Sequence, residues 1–188
     1  MAGNELDESN SGIDDRRGGP LAYATDYHAP VLCKAVVDGL IWNRHGLYVD
    51  GTLGGGGHTA AILDALASDG GVLGIDQDPE AVAEAGARLR KDVESGRLRI
   101  LPGNFSDMKP LIAQAGADAV DGILLDLGVS SHQLDAASRG FSYGTEGELD
   151  MRMDTRAPLA ADDVVNTWSE QELREVLFAF GEEPRSKQ

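Results

Sequence analysis

The chain has 188 residues, of which 41% are hydrophobic, and this length and composition indicate a globular protein built on one core. No apolar run approaches the roughly 20 residues of a membrane span, and the polar, acidic start lacks an apolar signal-peptide core. We therefore expect neither a membrane-spanning helix nor a signal peptide. A single cysteine, Cys33, excludes an internal disulfide framework and is typical of a reducing cytoplasm, while four scattered histidines predict no metal cluster.

Acidic residues dominate the charge. The sequence has 32 acidic and 16 basic residues, for a formal net charge of −16. A surface this acidic repels nucleic acid at long range, so the composition by itself does not suggest a nucleic-acid substrate. One hypothesis that accounts for the acidity is adaptation to a salty cytoplasm, where screening over a few ångströms weakens such repulsion.

The first part of the chain is polar. Residues 1–25 are rich in Asp, Glu, Asn, Gly and Ser, which predicts a disordered acidic tail. Apolar residues then begin, and their approximate helical spacing over 31–41 predicts a helix.

The stretch 47–59 is the one around which the rest of the chain is organised. An apolar strand over 47–50 is followed by four glycines at 54–57 and by a helix over 58–68. Strand, glycine loop and helix form the first half of a nucleotide-binding βαβ unit. Each glycine costs about 0.5–1 kcal/mol relative to alanine in ordered backbone, so the run favours a tight turn that a ligand approaches closely. The alternative is a flexible strand-to-helix connection.

Strands and helices continue to alternate. The pattern predicts strands over 71–76, 98–101 and 120–125, and helices over 79–94 and 108–115. This alternation predicts an α/β fold with a parallel sheet that is covered on both faces. After residue 133 the character changes: an ordered loop is expected over 138–160, and helix starts follow at Asp162 and Ser169, the second with a capping box.

Four loop tips are expected to meet at the carboxyl ends of these strands, where open α/β sheets bind ligands. They carry His58, Asp76, Phe105 and Asp126. Asp76 lies 22 residues after Gly54, close to the spacing of about 20 at which a carboxylate meets a ribose diol. Phe105 would pack near an adenine ring. Asp126 would lie beside the reacting end of the ligand.

The nature of the ligand follows from charge. A dinucleotide has a pyrophosphate that prefers helix-terminal N–H groups without a neighbouring carboxylate. Asp50 directly precedes the glycine turn, and the cationic sulfonium and amino groups of S-adenosylmethionine would tolerate its charge. The sequence therefore favours S-adenosylmethionine over NAD. A P-loop is disfavoured, because no Gly-Lys-Ser/Thr follows the glycines.

Simpler roles remain open for most of these residues. Asp50 and Asp76 could be solvated strand ends, His58 could cap its helix, and Phe105 could be ordinary core. Asp126 is harder to explain in this way, because a carboxylate among apolar strand residues needs a partner.

Several blocks of the sequence together point to a known family. They are DGT (50–52), GGH (56–58), GIDQDP (74–79), DGILLDLGVSS (121–131), QLD (133–135), RGFS (139–142) and LDMRMD (149–154), with His28 and PVL (30–32) at the start. In this order they resemble the ribosomal RNA small subunit methyltransferase H family, and the resemblance covers about residues 27–183.

The resemblance implies an S-adenosylmethionine-dependent enzyme with a Rossmann-like methyltransferase fold. It would methylate the exocyclic N4 of a cytosine in the decoding region of 16S rRNA, within the small ribosomal subunit or its precursor, in the cytoplasm. The family's cofactor contacts would fall on Gly56, Gly57, His58, Asp76, Phe105, Asp126 and Gln133. The last of these is one that the residues alone do not suggest.

Nitrogen chemistry agrees with the residues present. An exocyclic amine is a weak nucleophile that needs in-line placement and a hydrogen-bond acceptor for its proton, and Asp126 is the candidate acceptor. Asp126 could instead contact only the cofactor. Methylation at carbon C5 would need a cysteine nucleophile near the pocket, whereas Cys33 falls in the N-terminal helix.

The resemblance also implies a domain plan. Residues 26–135 would form the N-terminal part of the cofactor domain with its first four strands, and 136–188 the beginning of a helical insertion that helps to bind substrate. Cys33-Lys34-Ala35 departs from the family's Leu-x-Glu run, so an acidic contact there is not expected. The family's last strands are absent, so we expect a fragment with weak or no methyl transfer by itself. The alternatives are a non-catalytic cofactor- or RNA-binding remnant and an NAD-dependent oxidoreductase.

Overall fold

The structure is a computed structural model that describes residues 23–24, 30–144 and 146–187. Most of the tail predicted over 1–25 therefore lies outside the described residues. Tyr23 is an exception: its carbonyl oxygen accepts a hydrogen bond from Arg88 Nη2 at 2.7 Å, and its hydroxyl donates to Asp64 at 3.0 Å.

Strands and helices alternate along the first two thirds of the chain, as the sequence predicts. The strands are β1 (Leu47–Asp50), β2 (Gly71–Asp76), β3 (Leu98–Pro102) and β4 (Gly122–Leu124). The helices are α1 (Cys33–Leu40), α2 (Gly57–Ala65), α3 (Pro79–Arg88), α4 (Arg90–Glu94), α5 (Met108–Gln114), α6 (Ser131–Asp135), α7 (Ala161–Thr167) and α8 (Glu170–Ala179).

The four strands form one parallel sheet in the order β3-β2-β1-β4. This is the order of the first four strands of a doubly wound sheet, in which the direction of winding reverses between β1 and β4. A cleft is expected outside the carboxyl ends of the strands at this reversal. The prediction of a parallel α/β sheet with its first four strands present is confirmed.

Alternating side chains of the central strands build a core on each face of the sheet. Tyr48 and Val72 pack with Ile62 and Leu63 of α2 on one face. Val49, Leu73 and Ile75 form the other face, with Ala115. Both faces of β1 and β2 are therefore covered, which explains their continuous apolar sequences.

One predicted helix is divided in two. The sequence predicts a single helix over 79–94, but the helix ends at Arg88 and α4 begins at Arg90, with Leu89 between them at φ −102° and ψ 27°. Leu89 is 8% exposed and belongs to the core beside α2. The break lets this side chain reach the core, and burial of a leucine is worth about 1.5–3 kcal/mol.

Several other elements are also shorter than predicted. The helix predicted over 58–68 ends at Ala65, and the strand predicted over 120–125 is restricted to β4. β4 pairs only with β1, residue by residue from Tyr48 to Asp50, so the end of β1 also ends the ladder. Ile123 is 48% exposed and Leu125 is 44% exposed, as expected for a strand that has one neighbour among the described residues.

The segment after α6 is mostly irregular. A short 3-10 helix covers Ala137–Arg139, and α7 and α8 follow the loop. The capping box predicted at Ser169 is present: its side chain accepts a bond from Glu172 N, and Glu172 accepts one from Ser169 N at 2.8 Å. Of the helices in the described ranges, none combines the length and apolarity needed to cross a membrane.

Candidate functional site

A cleft of about 560 Å³ lies at the carboxyl ends of the strands, in the size range of small-molecule and cofactor sites. The loops that follow all four strands contribute to its walls, because parallel strands present those loops at one edge of the sheet. Pro30 and Val31 approach it from the N-terminal side, and Met153 approaches it from the loop before α7.

The glycine loop between β1 and α2 has a backbone that most side chains would strain. Gly54 has φ +50° and Gly56 has φ +75°. Gly56 is the N-cap of α2, and a Cβ built on it would lie 2.9 Å from Leu89 Cδ1. This position therefore faces the core beneath the loop rather than the cleft.

Asp50 anchors the loop from below. It is 1% exposed, its Oδ2 accepts a hydrogen bond from the Thr59 hydroxyl at 2.7 Å, and its Oδ1 accepts one from Thr52 N at 3.2 Å. Burial raises the pKa of this carboxyl group, although the two hydrogen bonds oppose the shift. Asp50 does not line the cleft, although Gly51 and Thr52 beside it do, so the expectation of negative charge near the pocket stays a prediction. The alternative of a solvated strand end is wrong, because the side chain is buried.

Asp76 ends β2 at the rim of the cleft. Its Oδ2 accepts a bond from Gly54 N at 2.8 Å, and its Oδ1 accepts one from Asp78 N at 2.9 Å. Burial raises the pKa of Asp76, against the lowering effect of these backbone donors. Each carboxylate oxygen has a second lone pair, which leaves acceptor capacity for a diol.

His58 lies in the first turn of α2 and joins two other walls of the cleft. Its Nε2 is 2.9 Å from the carbonyl oxygen of Val31, and a carbonyl can only accept, so this nitrogen carries the proton. Its Nδ1 faces Asp126 Oδ2 at 3.6 Å. The α2 helix has no side-chain cap, so the alternative that His58 caps its own helix is wrong.

Asp126 follows β4 and is the most open carboxylate of the site, with 40% of its side chain exposed. Its backbone N–H donates to the Thr52 hydroxyl oxygen at 2.8 Å, which ties the loop after β4 to the loop after β1. Because His58 Nε2 carries the proton that Val31 O accepts, His58 is the partner of this carboxylate only when Nδ1 is protonated as well.

Phe105 also lines the cleft, from a 3-10 helix, Phe105–Asp107, and 37% of its surface is exposed. Asn104 begins this helix by accepting a hydrogen bond from Ser106 N, and its amide donates to Gln77 Oε1 at 2.7 Å. An exposed aromatic face in a cleft suits a flat, apolar ligand group, and it does not fit the alternative of ordinary core.

Gln133 is 6% exposed and lies in the first turn of α6. Its Oε1 accepts from Ser130 N at 2.9 Å and its Nε2 donates to Asp78 Oδ2 at 2.8 Å. Both ends of its amide are therefore occupied, and they join the loop after β4 to the turn after β2.

Six of the seven predicted cofactor residues line the cleft; Gly56 lies behind it. The structure also brings in residues that the sequence did not single out for the site: Val31, Thr52, Gln77 and Met153 in the walls, and the buried pair Asp78 and Arg139 behind them. No local pattern could have revealed that pair, because its members are 61 residues apart in the chain. The described ranges contain no group of three or more His, Cys, Asp or Glu side chains that could hold a metal ion.

A cleft at the switch point of a parallel sheet, rimmed by an acidic residue at the end of β2, defines a Rossmann-like domain with a nucleotide-type site. The sequence model of the MraW methylase family matches residues 25–188, and the chain belongs to that family. The predicted Rossmann-like methyltransferase fold class is thereby confirmed.

Similar proteins agree with this assignment. The ribosomal RNA small subunit methyltransferase H of Chlorobium chlorochromatii is 49% identical over 177 residues, covering 89% of this chain and 53% of that protein. Its namesake from Geobacter sulfurreducens is 50% identical over 156 residues, covering 83% of this chain and 50% of that protein. The resemblance to this family is confirmed, and the chain spans about half the length of the curated relatives that it matches.

The likeness to solved structures is weaker. The O-methyltransferase TomG from Streptomyces achromogenes has a TM-score of 0.42 and 19% identity, and the match covers 56% of this chain and 46% of that one.

Proposed function

We propose that the cleft binds S-adenosylmethionine and that the chain is the cofactor-binding part of a methyltransferase that acts on small-subunit ribosomal RNA. Its target would be the exocyclic N4 of a cytosine in the decoding region of 16S rRNA, in the cytoplasm. The observation that carries the proposal is the convergence of His58, Asp76, Phe105 and Asp126 on one cleft in a member of the MraW methylase family.

The cleft suggests how the ligand would lie. Asp76 would accept hydrogen bonds from the ribose diol, and Phe105 would lie against the adenine. The glycine loop at Gly57 and the pair His58 and Asp126 would surround the methionine end, where a sulfonium and an ammonium carry positive charge. Gln133 would form part of the wall of the cleft between the adenosine end and the methionine end of the ligand.

The position of Asp126 argues against NAD. A pyrophosphate would bind at the N-terminus of α2, where no side chain in the described part of the chain caps the helix. Asp126 Oδ2 lies 3.6 Å from His58 Nδ1 in the first turn of that helix, so a diphosphate there would meet a carboxylate. Repulsion between like charges disfavours a dinucleotide, whereas a cationic group is attracted.

The residues also suggest a route for the proton. S-adenosylmethionine would supply an electrophilic methyl group, and the lone pair of the amine would form the new N–C bond as the S–C bond breaks. The amine must then lose one proton. The carboxylate of Asp126 would accept this proton. His58 Nδ1 lies 3.6 Å from Asp126 Oδ2 and would support that role.

The domain plan remains part of the proposal. Residues 26–135 would supply the cofactor site, and 136–188 would begin a helical insertion at the RNA-binding side. The strong negative charge argues that contact with RNA depends on local geometry and on salt rather than on a broad basic surface.

Calorimetric titration with S-adenosylhomocysteine tests the cofactor site. Binding by the wild-type chain is expected, and Asp76→Ala should weaken it about 10- to 100-fold, because each charge-assisted hydrogen bond contributes about 1.5–3 kcal/mol. Asp69→Ala is the matched control, since Asp69 is an exposed partner of His45 at 2.7 Å outside the cleft. Binding of NADH in place of S-adenosylhomocysteine would overturn the proposal in favour of an oxidoreductase.

A transfer assay tests the reaction. Tritiated methyl incorporation into undermethylated small subunits, followed by nucleoside analysis, should yield N4-methylcytidine if the chain is active. Asp126→Asn with retained cofactor affinity and lost transfer would support the role of proton acceptor, and equal losses in both would restrict Asp126 to cofactor binding. Cofactor binding without transfer by the wild-type chain would favour the non-catalytic alternative.

A further inference from the structure

A buried ion pair lies directly behind the cleft. Arg139 is 3% exposed and Asp78 is 1% exposed, and Arg139 Nη1 donates to Asp78 Oδ2 at 2.8 Å. The same nitrogen also donates to Glu80 Oε2 at 2.9 Å. Burial alone would lower the pKa of Arg139, but its bonds to these two carboxylates raise it, so the guanidinium stays charged.

The other arm of the guanidinium reaches the loop before α7. Arg139 Nη2 donates to the carbonyl oxygens of Arg152 at 3.0 Å and of Met153 at 3.2 Å. The backbone completes the joint, because Met151 N donates to the carbonyl oxygen of Arg139 at 2.9 Å. Met151 has φ +57°, which is strained for a methionine and indicates that its surroundings hold it there.

Asp78, the acidic member of the pair, makes the corresponding contacts in the turn after β2. Its N–H donates to Asp76 Oδ1 at 2.9 Å, and its Oδ1 accepts from Glu80 N at 3.0 Å. Its Oδ2 accepts from Gln133 Nε2 at 2.8 Å as well as from Arg139. The pair therefore connects three wall residues of the cleft, Asp76, Gln133 and Met153, without lining the cleft itself.

Stability does not account for this arrangement. A buried ion pair is often no more stabilising than apolar residues of the same volume, because desolvation offsets the attraction between the charges. The Nε of Arg139 is in addition buried without a hydrogen-bond partner among the described residues, a further cost. What the pair does supply is a fixed geometry, because the guanidinium donates hydrogen bonds to both segments and holds them at defined distances.

We propose that Arg139 is a positioning residue that ties the Met153 wall of the cleft to the turn at Asp76 and Asp78. Binding of S-adenosylmethionine at Asp76 is thereby coupled to the placement of the 149–154 loop. This inference rests on the proposed cofactor site, and it adds a residue that acts through others.

The coupling has a direct spectroscopic readout. The chain has four methionines, and one of them, Met153, lines the cleft. With ¹³C-methyl-labelled methionine, the Met153 resonance should shift when S-adenosylhomocysteine is added to the wild-type chain. In Arg139→Leu, which adds no methionine methyl, the shift should be lost, and calorimetry should show about tenfold weaker binding, within the usual range of coupling between sites.

Two further variants separate positioning from folding. Arg139→Leu leaves Asp78 buried without a counter-charge, whereas Asp78→Asn combined with Arg139→Leu removes both charges and should restore the midpoint of urea unfolding. A positioning role predicts that the double variant still binds weakly and still lacks the Met153 shift. Arg139→Lys should recover only part of the affinity, because one ammonium cannot engage both segments as a guanidinium does.

The control is Arg97→Leu. Arg97 also donates to backbone carbonyls, of Leu63 at 2.7 Å and Ala67 at 3.2 Å, but outside the cleft, so its loss should leave affinity and the Met153 shift unchanged. Wild-type affinity in Arg139→Leu, or in the double variant, would overturn this inference alone. A wild-type chain that does not bind S-adenosylhomocysteine would overturn the proposed function and this inference with it.

Discussion

Three aspartates follow strands at the same edge of the sheet, yet their surroundings assign them different roles. Asp50 is buried beneath the glycine loop and bonded to Thr59, Asp76 is half-buried at the rim, and Asp126 is exposed to the cleft. Their positions in the sequence are equivalent, since each ends or follows an apolar strand. The difference arises because Thr52 and Thr59, which follow β1, donate hydrogen bonds to Asp50, whereas the other two carboxylates line the cleft.

Burial of Asp50 has a consequence for stability. Its folded-state pKa is raised above the ordinary value of 3.8, so between these two values the folded chain binds more protons than the unfolded chain. The contribution of Asp50 to the free energy of unfolding is therefore fully present below 3.8 and decreases as the pH rises through the folded-state pKa.

The test compares Asp50→Asn with the wild-type chain in urea unfolding at a series of pH values. The wild-type free energy of unfolding minus that of the variant should fall as the pH rises. Asp69→Asn should give a slope of the opposite sign, because the hydrogen bond to His45 lowers the pKa of Asp69. A flat difference for Asp50→Asn would show that its carboxyl group has the same pKa in both states.

At the scale of elements, the limits of β1 and β2 agree with the pattern of apolar residues, but those of the helices predicted over 58–68 and 79–94 do not. Both strands are buried on both faces, so their apolar runs end where the strands end. The helix over 79–94 looks continuous in sequence, yet it breaks because Leu89 enters the core beneath Gly56. The periodicity of apolar residues describes one element at a time, whereas this break depends on the contact between the helix and the glycine loop.

That contact predicts the effect of a substitution. Gly56→Ala should lower the free energy of unfolding by about 2 kcal/mol, since the added Cβ meets Leu89 and the backbone has φ +75°. Gly39→Ala is the matched control: it lies within α1 with no atom within 4 Å of the added Cβ, and it should stabilise by about 0.5–1 kcal/mol. Equal urea midpoints for the two variants would contradict the packing described for the loop.

For the whole molecule, charge is the dominant property. The net charge of −16 on 188 residues gives strong self-repulsion in the folded state, where acidic groups are closer together than in the unfolded chain. Screening shortens the reach of this repulsion from about 10 Å at 0.1 M salt to about 3 Å at 1 M.

The thermal midpoint is therefore expected to rise with potassium chloride. Between 0.1 and 1 M salt the increase should be about 4 °C or more, which corresponds to roughly 1–2 kcal/mol for a chain of this size. Sucrose at equal osmolality is the control, because it stabilises without screening charge. A midpoint that does not rise with the salt, or that rises equally in sucrose, would contradict adaptation to a salty interior.

The sequence by itself determined the α/β class, the parallel sheet and the edge at which the site lies. These follow from local patterns: buried strands, alternating helices and the rule that parallel strands present their following loops together. His58, Asp76, Phe105 and Asp126 could be chosen in this way because each lies directly at a strand end or in the loop that follows one.

Only the tertiary structure decided which of the selected residues face the cleft and what holds them there. In the folded chain Asp50 and Gly56 lie outside the lining of the cleft, and Arg139 pairs with Asp78, 61 residues away in the chain. The physical reason is that burial and ion pairing depend on where distant segments meet. Nothing in the spacing of neighbouring residues carries that information.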